Sequence, residues 1–366
     1  MLDSITVEGF KSIGSISELQ LGPMNVLIGP NGSGKSNFLD VFSFLHEIRF
    51  GRLQEYVKRA GGADRILHFG SQATKGMTLH VSLAEARFQY RLQLLATDDD
   101  ALQPYKETAY YRDRPCYGRP DEQPLKSRGG EAGISLSDIP RYADNVQRLL
   151  NSWRLYHFHD AGSTSRMRKT TSVNDNRYLR PDASNLAAFL YFLSLKHENE
   201  YNLIRRTVRL VAPFFDDFLL QPLALNKDTI RMEWKHKGTD AYFDAASFSD
   251  GTLRFIALAT LLLQPDSLRP PIVIIDEPEL GLHPYAIALF ASLAKQASTK
   301  TQVILATQSS LLLDHFEPED VLVADRVEGQ TQFSRLDAGS LKNWLQDYSL
   351  GQLWEKNELG GRPAHE

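Results

Sequence analysis

The N-terminal part of the chain carries the apolar patterns of several strands and one helix. Apolar and polar residues alternate over 5–10, and a second, mainly apolar run covers 24–28, which predicts two strands. Apolar residues then recur at helical spacing over 35–48, so a glycine-rich loop joins a buried strand to a helix. The alternating segments 78–83 and 88–95 predict two more strands, in an antiparallel arrangement.

The middle and the last third of the chain differ in pattern. Residues 98–141 are rich in proline, glycine and charge, which predicts a loop-rich insertion, and helical spacing at 185–195 and 201–215 predicts a helical lobe. The sequence has no internal repeat and no long heptad array, so it does not predict a coiled-coil arm. The last third alternates helices and strands, predicted at 252–263 (helix), 272–275 (strand), 284–297 (helix), 302–306 (strand) and 320–324 (strand).

Composition and charge are typical of a globular protein without a broad charged surface. Of the 366 residues, 42% are hydrophobic and 23% are charged, close to ordinary globular usage. The formal net charge of −4 gives no overall basic field, so any contact with DNA would have to be local. The longest apolar stretch, 255–263, is far shorter than the roughly 20 residues that cross a bilayer. The lone cysteine, Cys116, cannot form an internal disulfide, and Asp3 and Glu8 interrupt any run that resembles a signal peptide, so we expect a cytoplasmic protein that does not span a membrane.

A glycine-rich segment between the second strand and the first helix matches the pattern G-x-x-x-x-G-K-[ST]. Glycines let backbone N–H groups curl around phosphate oxygens, and the helix N-terminus supplies positive partial charge to the same anion. We expect Lys35 to reach the β- and γ-phosphates of ATP and the Ser36 hydroxyl to bind Mg²⁺. The alternative is a glycine-rich turn that matches by chance, which the strand–loop–helix context disfavours. The predicted nucleotide-binding residues here are Gly29, Pro30, Asn31, Gly32, Ser33, Gly34, Lys35, Ser36 and Asn37.

A second candidate is the apolar run that ends in Asp276 and Glu277. Its four consecutive β-branched residues, 272–275, suit a central parallel strand that is buried on both faces and whose C-terminal end faces ligand. We expect Asp276 to hold Mg²⁺ and Glu277 to polarise the attacking water as a general base. Taken alone, the two carboxylates would be an acidic turn after a core strand, but the glycine-rich loop in the same chain favours a catalytic role.

A third candidate is the turn Ser249-Asp250-Gly251-Thr252, which opens the helix predicted at 252–263. A Ser-x-Gly turn at the start of a helix can bind an anion, and it can equally be an ordinary N-cap. The residues alone leave both interpretations open.

In chain order, the phosphate loop (29–36), the Ser-x-Gly-Thr turn and the strand that ends in Asp-Glu-Pro resemble the ABC-type ATPase core. The opening Gly-Phe-Lys-Ser-Ile at 9–13 and the segment Glu-Pro-Glu-Leu-Gly-Leu-His-Pro at 277–284 are similar to its RecF/SMC-like branch, which includes OLD-type and related AAA-type bacterial ATPases. The resemblance covers residues 1–95 and 245–350, and the middle carries no motif of comparable specificity. It implies an α/β fold with a central, mainly parallel sheet, an antiparallel β subdomain and an inserted helical lobe.

The resemblance also implies an order of segments along the chain. Residues 1–97 would be the N-terminal part of the ATPase core with the phosphate loop, and 98–245 would be an inserted loop-rich and helical lobe. Residues 246–350 would be the C-terminal part of the core, and 351–366 would be a tail.

In this family ATP joins two copies of the chain head to tail, which makes a homodimer the expected partner state. The turn with Ser249 and Gly251 would contact the γ-phosphate of ATP held by the other copy, and residues 279–283 would line the seam as the D-loop. Lys11 and Ser12 match positions that approach the nucleotide in relatives, although a surface strand end is an open alternative.

One position departs from the common pattern. Many relatives place a histidine after the strand that follows the catalytic carboxylate, whereas this chain has Gln308. A glutamine can hydrogen-bond a phosphate, but it carries neither proton nor charge for catalysis. Slow hydrolysis, or a binding switch with little turnover, is therefore an open alternative.

The leading functional hypothesis is an ATPase that couples ATP-driven dimerisation to DNA or to a partner protein, in DNA maintenance or anti-phage defence. The alternative is an ATP-dependent switch that holds or releases a separate nuclease or toxin. A transporter subunit is disfavoured by the opening at 9–13 and by the large middle lobe.

Two weaker signals lie between the motifs. His157 and His159 flank Phe158, but without a third ligand nearby a metal site is disfavoured. The stretch 166–180 has the composition of a mobile loop, and its charges are either a solvated face or a contact for nucleic acid or a partner. Its basic residues are Arg166, Arg168, Lys169, Arg177 and Arg180.

Overall fold

Strands and helices alternate along the chain in the computed structural model, which describes residues 1–113 and 120–360. Cys116 and the last six residues, 361–366, lie outside the described residues. The chain forms two compact units, one of Met1–Leu155 with Glu317–Glu366 and the other of Tyr156–Phe316. The predicted division into four segments stays a prediction.

The N-terminal stretch of the first unit contains most of its strands. The strands are β1 (Leu2–Phe10), β2 (Ile13–Gln20), β3 (Met24–Ile28), β4 (Gly76–Leu83), β5 (Phe88–Ala96), β6 (Leu102–Tyr111), β7 (Asp121–Pro124) and β8 (Trp153–Tyr156). The helices are α1 (Lys35–Arg49), α2 (Leu53–Ala60), α3 (Ala63–Ile66), α4 (Gly70–Ala73) and α5 (Arg141–Asn151). Six strands form an antiparallel sheet in the order β2-β1-β4-β5-β6-β7. The predicted antiparallel pair at 78–83 and 88–95 is thereby confirmed.

The ten-residue strand β6 corrects the expectation of a loop-rich segment at 98–141. It pairs with β5 from Phe88 opposite Tyr111 to Ala96 opposite Leu102. The sequence conceals this strand because a carboxylate, Glu107, lies on its buried side. The Tyr90 hydroxyl donates a hydrogen bond to Glu107 Oε1 at 2.9 Å. The backbone N–H groups of Gly133 and Ile134 donate to the same carboxylate at 2.6 and 2.8 Å.

The second unit combines helices with short strands. The strands are β9 (Thr171–Ser172), β10 (Phe215–Leu219), β11 (Pro222–Leu223), β12 (Asn226–Ile230), β13 (Glu233–His236), β14 (Tyr242–Asp244), β15 (Ile272–Asp276) and β16 (Gln302–Thr307). The helices are α6 (Leu186–Lys196), α7 (Glu198–Val211), α8 (Asp250–Leu263), α9 (Pro284–Ser298) and α10 (Ser310–Leu313). Strands β15 and β16 pair in parallel, from Ile272 opposite Gln302 to Asp276 opposite Ala306.

The predicted helical lobe contains both helices and strands. Helix α7 ends at Val211, earlier than predicted, because Pro213 cannot continue the helical hydrogen bonds. The chain then enters β10, which belongs to a small antiparallel sheet with β13 and β14. A second small antiparallel sheet has the order β11-β12-β9.

The chain returns to the first unit with two strands and two short helices. Strand β17 (Val321–Val327) pairs in parallel with β3, and β18 (Gln330–Arg335) pairs antiparallel with β17. Helices α11 (Ala338–Leu341) and α12 (Leu350–Glu355) follow. The predicted tail therefore begins as a helix, whose Ser349 forms a capping box with Gln352.

The two units together contain parallel strand pairs, an antiparallel sheet and a helical region. The α/β class predicted from the sequence, with an antiparallel subdomain and an inserted lobe, is confirmed.

Replacing the buried carboxylate of β6 should weaken the first unit. Glu107→Ala leaves three buried donors, on Tyr90, Gly133 and Ile134, without an acceptor, so we expect a loss of roughly 2–4 kcal/mol in the free energy of unfolding. Urea denaturation measures it. Glu122→Ala, which removes an exposed carboxylate from β7 of the same sheet, is the control and should change stability by less than about 0.5 kcal/mol. Equal losses in the two variants would contradict this account.

Candidate functional site

The phosphate loop connects a fully buried strand to a helix through left-handed backbone. All five residues of β3 are buried, and α1 begins at Lys35 directly after Gly34, whose φ is 98°. A Cβ at Gly34 would lie 1.9 Å from Thr331 Oγ1 and 2.7 Å from Ser12 Oγ. A side chain is therefore excluded there both by the backbone conformation and by the neighbouring hydroxyl groups.

Three polar side chains brace this loop from within the first unit. Thr331 on β18 donates its hydroxyl to Ser33 O at 2.9 Å. The hydroxyl groups of Ser12 and Thr331 are 2.7 Å apart, and Asn37 Nδ2 donates to Ser12 Oγ at 2.7 Å. Ser12 and Asn37, predicted to bind nucleotide, thus hold the loop in this structure. Thr331 was not predicted from the sequence, because Ser33 is 298 residues away along the chain.

The inner face of the loop presents positive charge and a hydroxyl group. Lys35, 6% exposed, donates from Nζ to Gly29 O at 2.6 Å and to Pro30 O at 3.0 Å. The Ser33 hydroxyl is buried and has no hydrogen-bond partner among the described residues. A Cβ at Gly29 would come within 2.6 Å of Ser33 Oγ, so the space enclosed by the loop, here called the cradle, has no room for a side chain at this position. A buried ammonium, a spare donor and a helix N-terminus are the groups that an anionic phosphate needs.

Lys11 lies at the turn between β1 and β2 and contacts α1. Its Nζ forms an ion pair with Asp40 Oδ2 at 2.6 Å, and its carbonyl is 2.7 Å from His68 Nδ1. The residue adopts a left-handed conformation with φ 49°. Its contact with nucleotide stays a prediction.

In the second unit, Asp276 and Glu277 follow one another at the end of β15. The Glu277 N–H donates to Ala306 O at 2.8 Å and continues the pairing with β16 for one residue. Glu277 has φ 45°, a conformation that is unfavourable for a residue with a side chain. Gln308 Nε2 donates to Glu277 Oε1 at 2.5 Å and so fixes the orientation of this carboxylate. Gln308 was expected to face a phosphate, and in this structure it is a partner of the proposed base.

A second carboxylate, Glu279, lies beneath this pair. Thr307 Oγ1 donates to Glu279 Oε1 at 2.6 Å, and Gln308 N–H donates to the same oxygen at 3.3 Å. Burial raises the pKa of Glu279, and these hydrogen bonds act in the opposite direction. The sequence placed Glu279 only in the D-loop (279–283) and did not reveal that it anchors Gln308.

The signature turn (249–252) begins α8 with a side-chain cap. Ser249 Oγ accepts a hydrogen bond from Thr252 N–H at 3.1 Å and is 2.8 Å from Thr252 Oγ1. The ordinary N-cap left open by the sequence is therefore present, and Ser249 remains exposed. A Cβ at Gly251 would lie 2.2 Å from Gly281 O, so the D-loop passes directly against the turn.

Arg254 connects its own helix, α8, to residues 158–159 and to the D-loop. It is 5% exposed, and its Nε and Nη2 donate to Phe158 O at 2.8 Å and to His159 O at 2.9 Å. Its Nη1 donates to Leu280 O in the D-loop. His159 Nε2 in turn is 3.0 Å from Asp276 O. Sequence reasoning missed Arg254 and considered His159 only as a disfavoured metal ligand. Across 1–113 and 120–360 no group of three His, Cys, Asp or Glu residues could hold a metal ion by itself.

A family model described as "AAA domain, putative AbiEii toxin, Type IV TA system" matches residues 24–314, most of the chain. The chain belongs to this AAA-domain family.

Solved SMC heads share the fold of this AAA-domain protein. An SMC head bound to the C-winged helix domain of ScpA superposes with a TM-score of 0.62 at 14% identity and covers 93% of this chain and 99% of that chain. The SMC head with an extended coiled coil from Pyrococcus furiosus, bound to the C-terminal domain of ScpA, gives 0.55 at 12% identity, with 94% and 98% covered. The SMC head from Thermotoga maritima gives 0.50 at 16% identity, with 92% and 99% covered. The predicted resemblance to the RecF/SMC-like branch of ABC-type ATPases is thereby confirmed for the fold.

A short stretch of the sequence also matches an SMC protein. The chromosome partition protein Smc of Desulfitobacterium hafniense (strain Y51) is 49% identical over 45 residues, which are 12% of this chain and 4% of that protein. The match thus spans a small fraction of that relative's length. Among the described helices of the AAA-domain protein, none has the length and apolar character needed to cross a bilayer.

Two glycines of the phosphate loop provide a matched test of its geometry. Ala at either Gly32 or Gly34 must adopt positive φ, which costs roughly 1–2 kcal/mol, but nothing lies within 4 Å of a Cβ at Gly32. Gly34→Ala also overlaps with Thr331 and Ser12, so we expect it to lose a further 1–3 kcal/mol or so in the free energy of unfolding and to lose ATP binding. Denaturant titration of both variants checks this. Equal destabilisation would show that β18 does not confine the loop.

Proposed function

We propose that this AAA-domain protein binds and hydrolyses ATP, and that ATP joins two copies of the chain head to tail. The observation that carries the proposal is the phosphate loop, in which Gly29 and Gly34 leave no room for a side chain. The loop buries the Lys35 ammonium and a Ser33 hydroxyl that has no hydrogen-bond partner among the described residues. Groups of this kind stabilise phosphate by charge and by directed hydrogen bonds. A purely structural turn would have no reason to bury an ammonium among its own carbonyls.

The phosphate loop, the two carboxylates after β15 and Gln308 each have a role in this proposal. The backbone of 29–34 and the Lys35 ammonium bind the phosphates, and Ser36 and Asp276 supply oxygen ligands of the kind that Mg²⁺ prefers. A bound Mg²⁺ would neutralise charge on the phosphate oxygens. Glu277 accepts the proton of the attacking water, and Gln308 holds that carboxylate in one orientation.

Self-association is supported by exposed residues at the signature turn, in the D-loop and at the start of α9. Ser249 lies exposed at the signature turn, and the D-loop exposes Leu280, which is 45% accessible. Tyr285, at the start of α9, is 53% accessible. Apolar side chains exposed beside an anion-binding turn are suited to a surface that closes against another copy. In this arrangement Ser249 and Gly251 of one copy contact the γ-phosphate bound by the other.

The cycle would act on DNA or on a partner protein in the cytoplasm. The similar solved structures are heads of SMC proteins, two of them bound to ScpA, and the short match is to a chromosome partition protein. A role in DNA maintenance or anti-phage defence follows from that analogy alone.

The second candidate is a switch with little turnover that holds or releases a nuclease or toxin. It is favoured by Gln308, which occupies Glu277 with a hydrogen bond in place of a protonatable histidine. The description of the matching family, which names a putative toxin and a type IV TA system, also supports a link to a toxin.

A Glu277→Gln variant tests hydrolysis. Removing the base should lower phosphate release about 10²–10⁴-fold and leave ATP-bound dimers that persist in light scattering. Glu319→Gln, an exposed carboxylate, is the control and should behave as the parent protein. If the parent protein itself releases no phosphate above background while it still dimerises with ATP, the switch is the correct function.

Gln308 should matter only through the carboxylate that it holds. We expect Gln308→Ala to reduce kcat by about tenfold with little change in ATP affinity, since the lost hydrogen bond orients the base. In a Glu277→Gln background the same substitution should have no further effect, because residues that act as one unit are not additive. Single-turnover phosphate release and titration with a fluorescent ATP analogue measure the two quantities. A tenfold loss of ATP affinity in Gln308→Ala would place Gln308 on the phosphate instead.

A further inference from the structure

The signature turn carries a negative charge where the proposed function requires an anion to dock. Asp250 lies between Ser249 and Gly251, and its side chain is 59% exposed. A free carboxylate beside the γ-phosphate of another copy would repel it, since like charges at short range oppose association. Something must cancel this charge if the turn is to bind a triphosphate.

Arg168 is the cation that neutralises Asp250. Its Nη2 forms an ion pair with Asp250 Oδ1 at 2.7 Å, while its own side chain is only 5% exposed. In this ion pair the Asp250 carboxylate is exposed to solvent, whereas the Arg168 guanidinium is almost completely buried. The Arg168 charge is therefore directed at Asp250 and is poorly accessible to solvent ions.

The guanidinium is held in place independently of Asp250. Its Nε donates to Ala161 O at 2.9 Å and to Gly162 O at 3.0 Å. Its Nη1 donates to Ala245 O at 2.5 Å and to Phe248 O at 3.0 Å, immediately before the turn. Four carbonyl groups thus fix the planar fork, which a lysine could not reproduce.

The segment that carries Arg168 is ordered by its own contacts. Ser165 Oγ donates to Asp160 O at 2.6 Å and accepts from Met167 N–H at 3.2 Å, and Met167 is buried. The interpretation of 166–180 as one mobile basic loop is therefore wrong for Arg168. The remaining basic residues of that cluster, Arg166, Lys169, Arg177 and Arg180, are exposed.

We propose that Arg168 is a positioning residue for the signature turn: it neutralises Asp250 so that Ser249 and Gly251 can engage a triphosphate bound by a second copy of the chain. This inference rests on the proposed head-to-tail dimer. Arg168 acts through Asp250 and has no contact with the nucleotide in this arrangement.

The test combines charge removal at both ends of the pair in the Glu277→Gln background. Arg168→Met should weaken ATP-dependent dimerisation by about tenfold or more, since it exposes an uncancelled carboxylate at the interface. ATP binding by the single chain should stay unchanged. Adding Asp250→Asn to Arg168→Met should restore the dimer to within about threefold of the parent, because no charge then needs cancelling. Analytical ultracentrifugation with ATP measures the dimer, and a fluorescent ATP analogue measures nucleotide binding.

Lys169→Met is the matched control, since it removes a neighbouring exposed cation and should leave dimerisation unchanged. A double variant as weak as Arg168→Met would overturn the inference and leave only a structural role for the carbonyl contacts. If Arg168→Met fails to fold, Asp250→Asn alone decides: the inference requires a change in dimer affinity below about threefold, and a tenfold tightening would mean that Asp250 is not neutralised. Absence of any ATP-dependent dimer in the parent would instead refute the proposed function, and the inference with it.

Discussion

The close passage of the phosphate loop against β18 is the constraint on which the site depends. Gly34 approaches Thr331 so nearly that a single added carbon would overlap with its hydroxyl, and that hydroxyl holds Ser33 O. The chain can turn from β3 into α1 at this distance only through left-handed glycine. The start of α1, the burial of Lys35 and the width of the cradle all follow from that turn.

The carboxylates at the end of β15 rely on hydrogen bonds instead of steric confinement. Glu277 adopts a conformation that its side chain disfavours, and the bond to Ala306 O holds its backbone there. Thr307 donates a hydrogen bond to Glu279, which in turn accepts one from the Gln308 backbone. The Gln308 side chain then orients the Glu277 carboxylate. A residue under backbone strain is thus held by a network of hydrogen bonds.

Sequence patterns predicted the elements whose signals are local. The loop at 29–36 and the apolar strand at 272–275 were predictable because motif, strand and helix are contiguous. Strand β6 was not, since its buried face carries Glu107 and the groups that satisfy it lie far along the chain. Thr331 is 298 residues from Ser33, and Arg168 bonds carbonyl groups near residue 245, so composition around either position gave no hint of its role.

Arg254 ties together segments that the sequence presents as separate motifs. One guanidinium bonds the carbonyl groups of Phe158, His159 and Leu280, and it does so from the helix that begins at the signature turn. Separating either segment from the helix would leave an almost wholly buried guanidinium without an acceptor, so the signature helix keeps its place against the D-loop through a charge that cannot reach water. His159, whose ring is exposed, extends these contacts to Asp276 O at 3.0 Å.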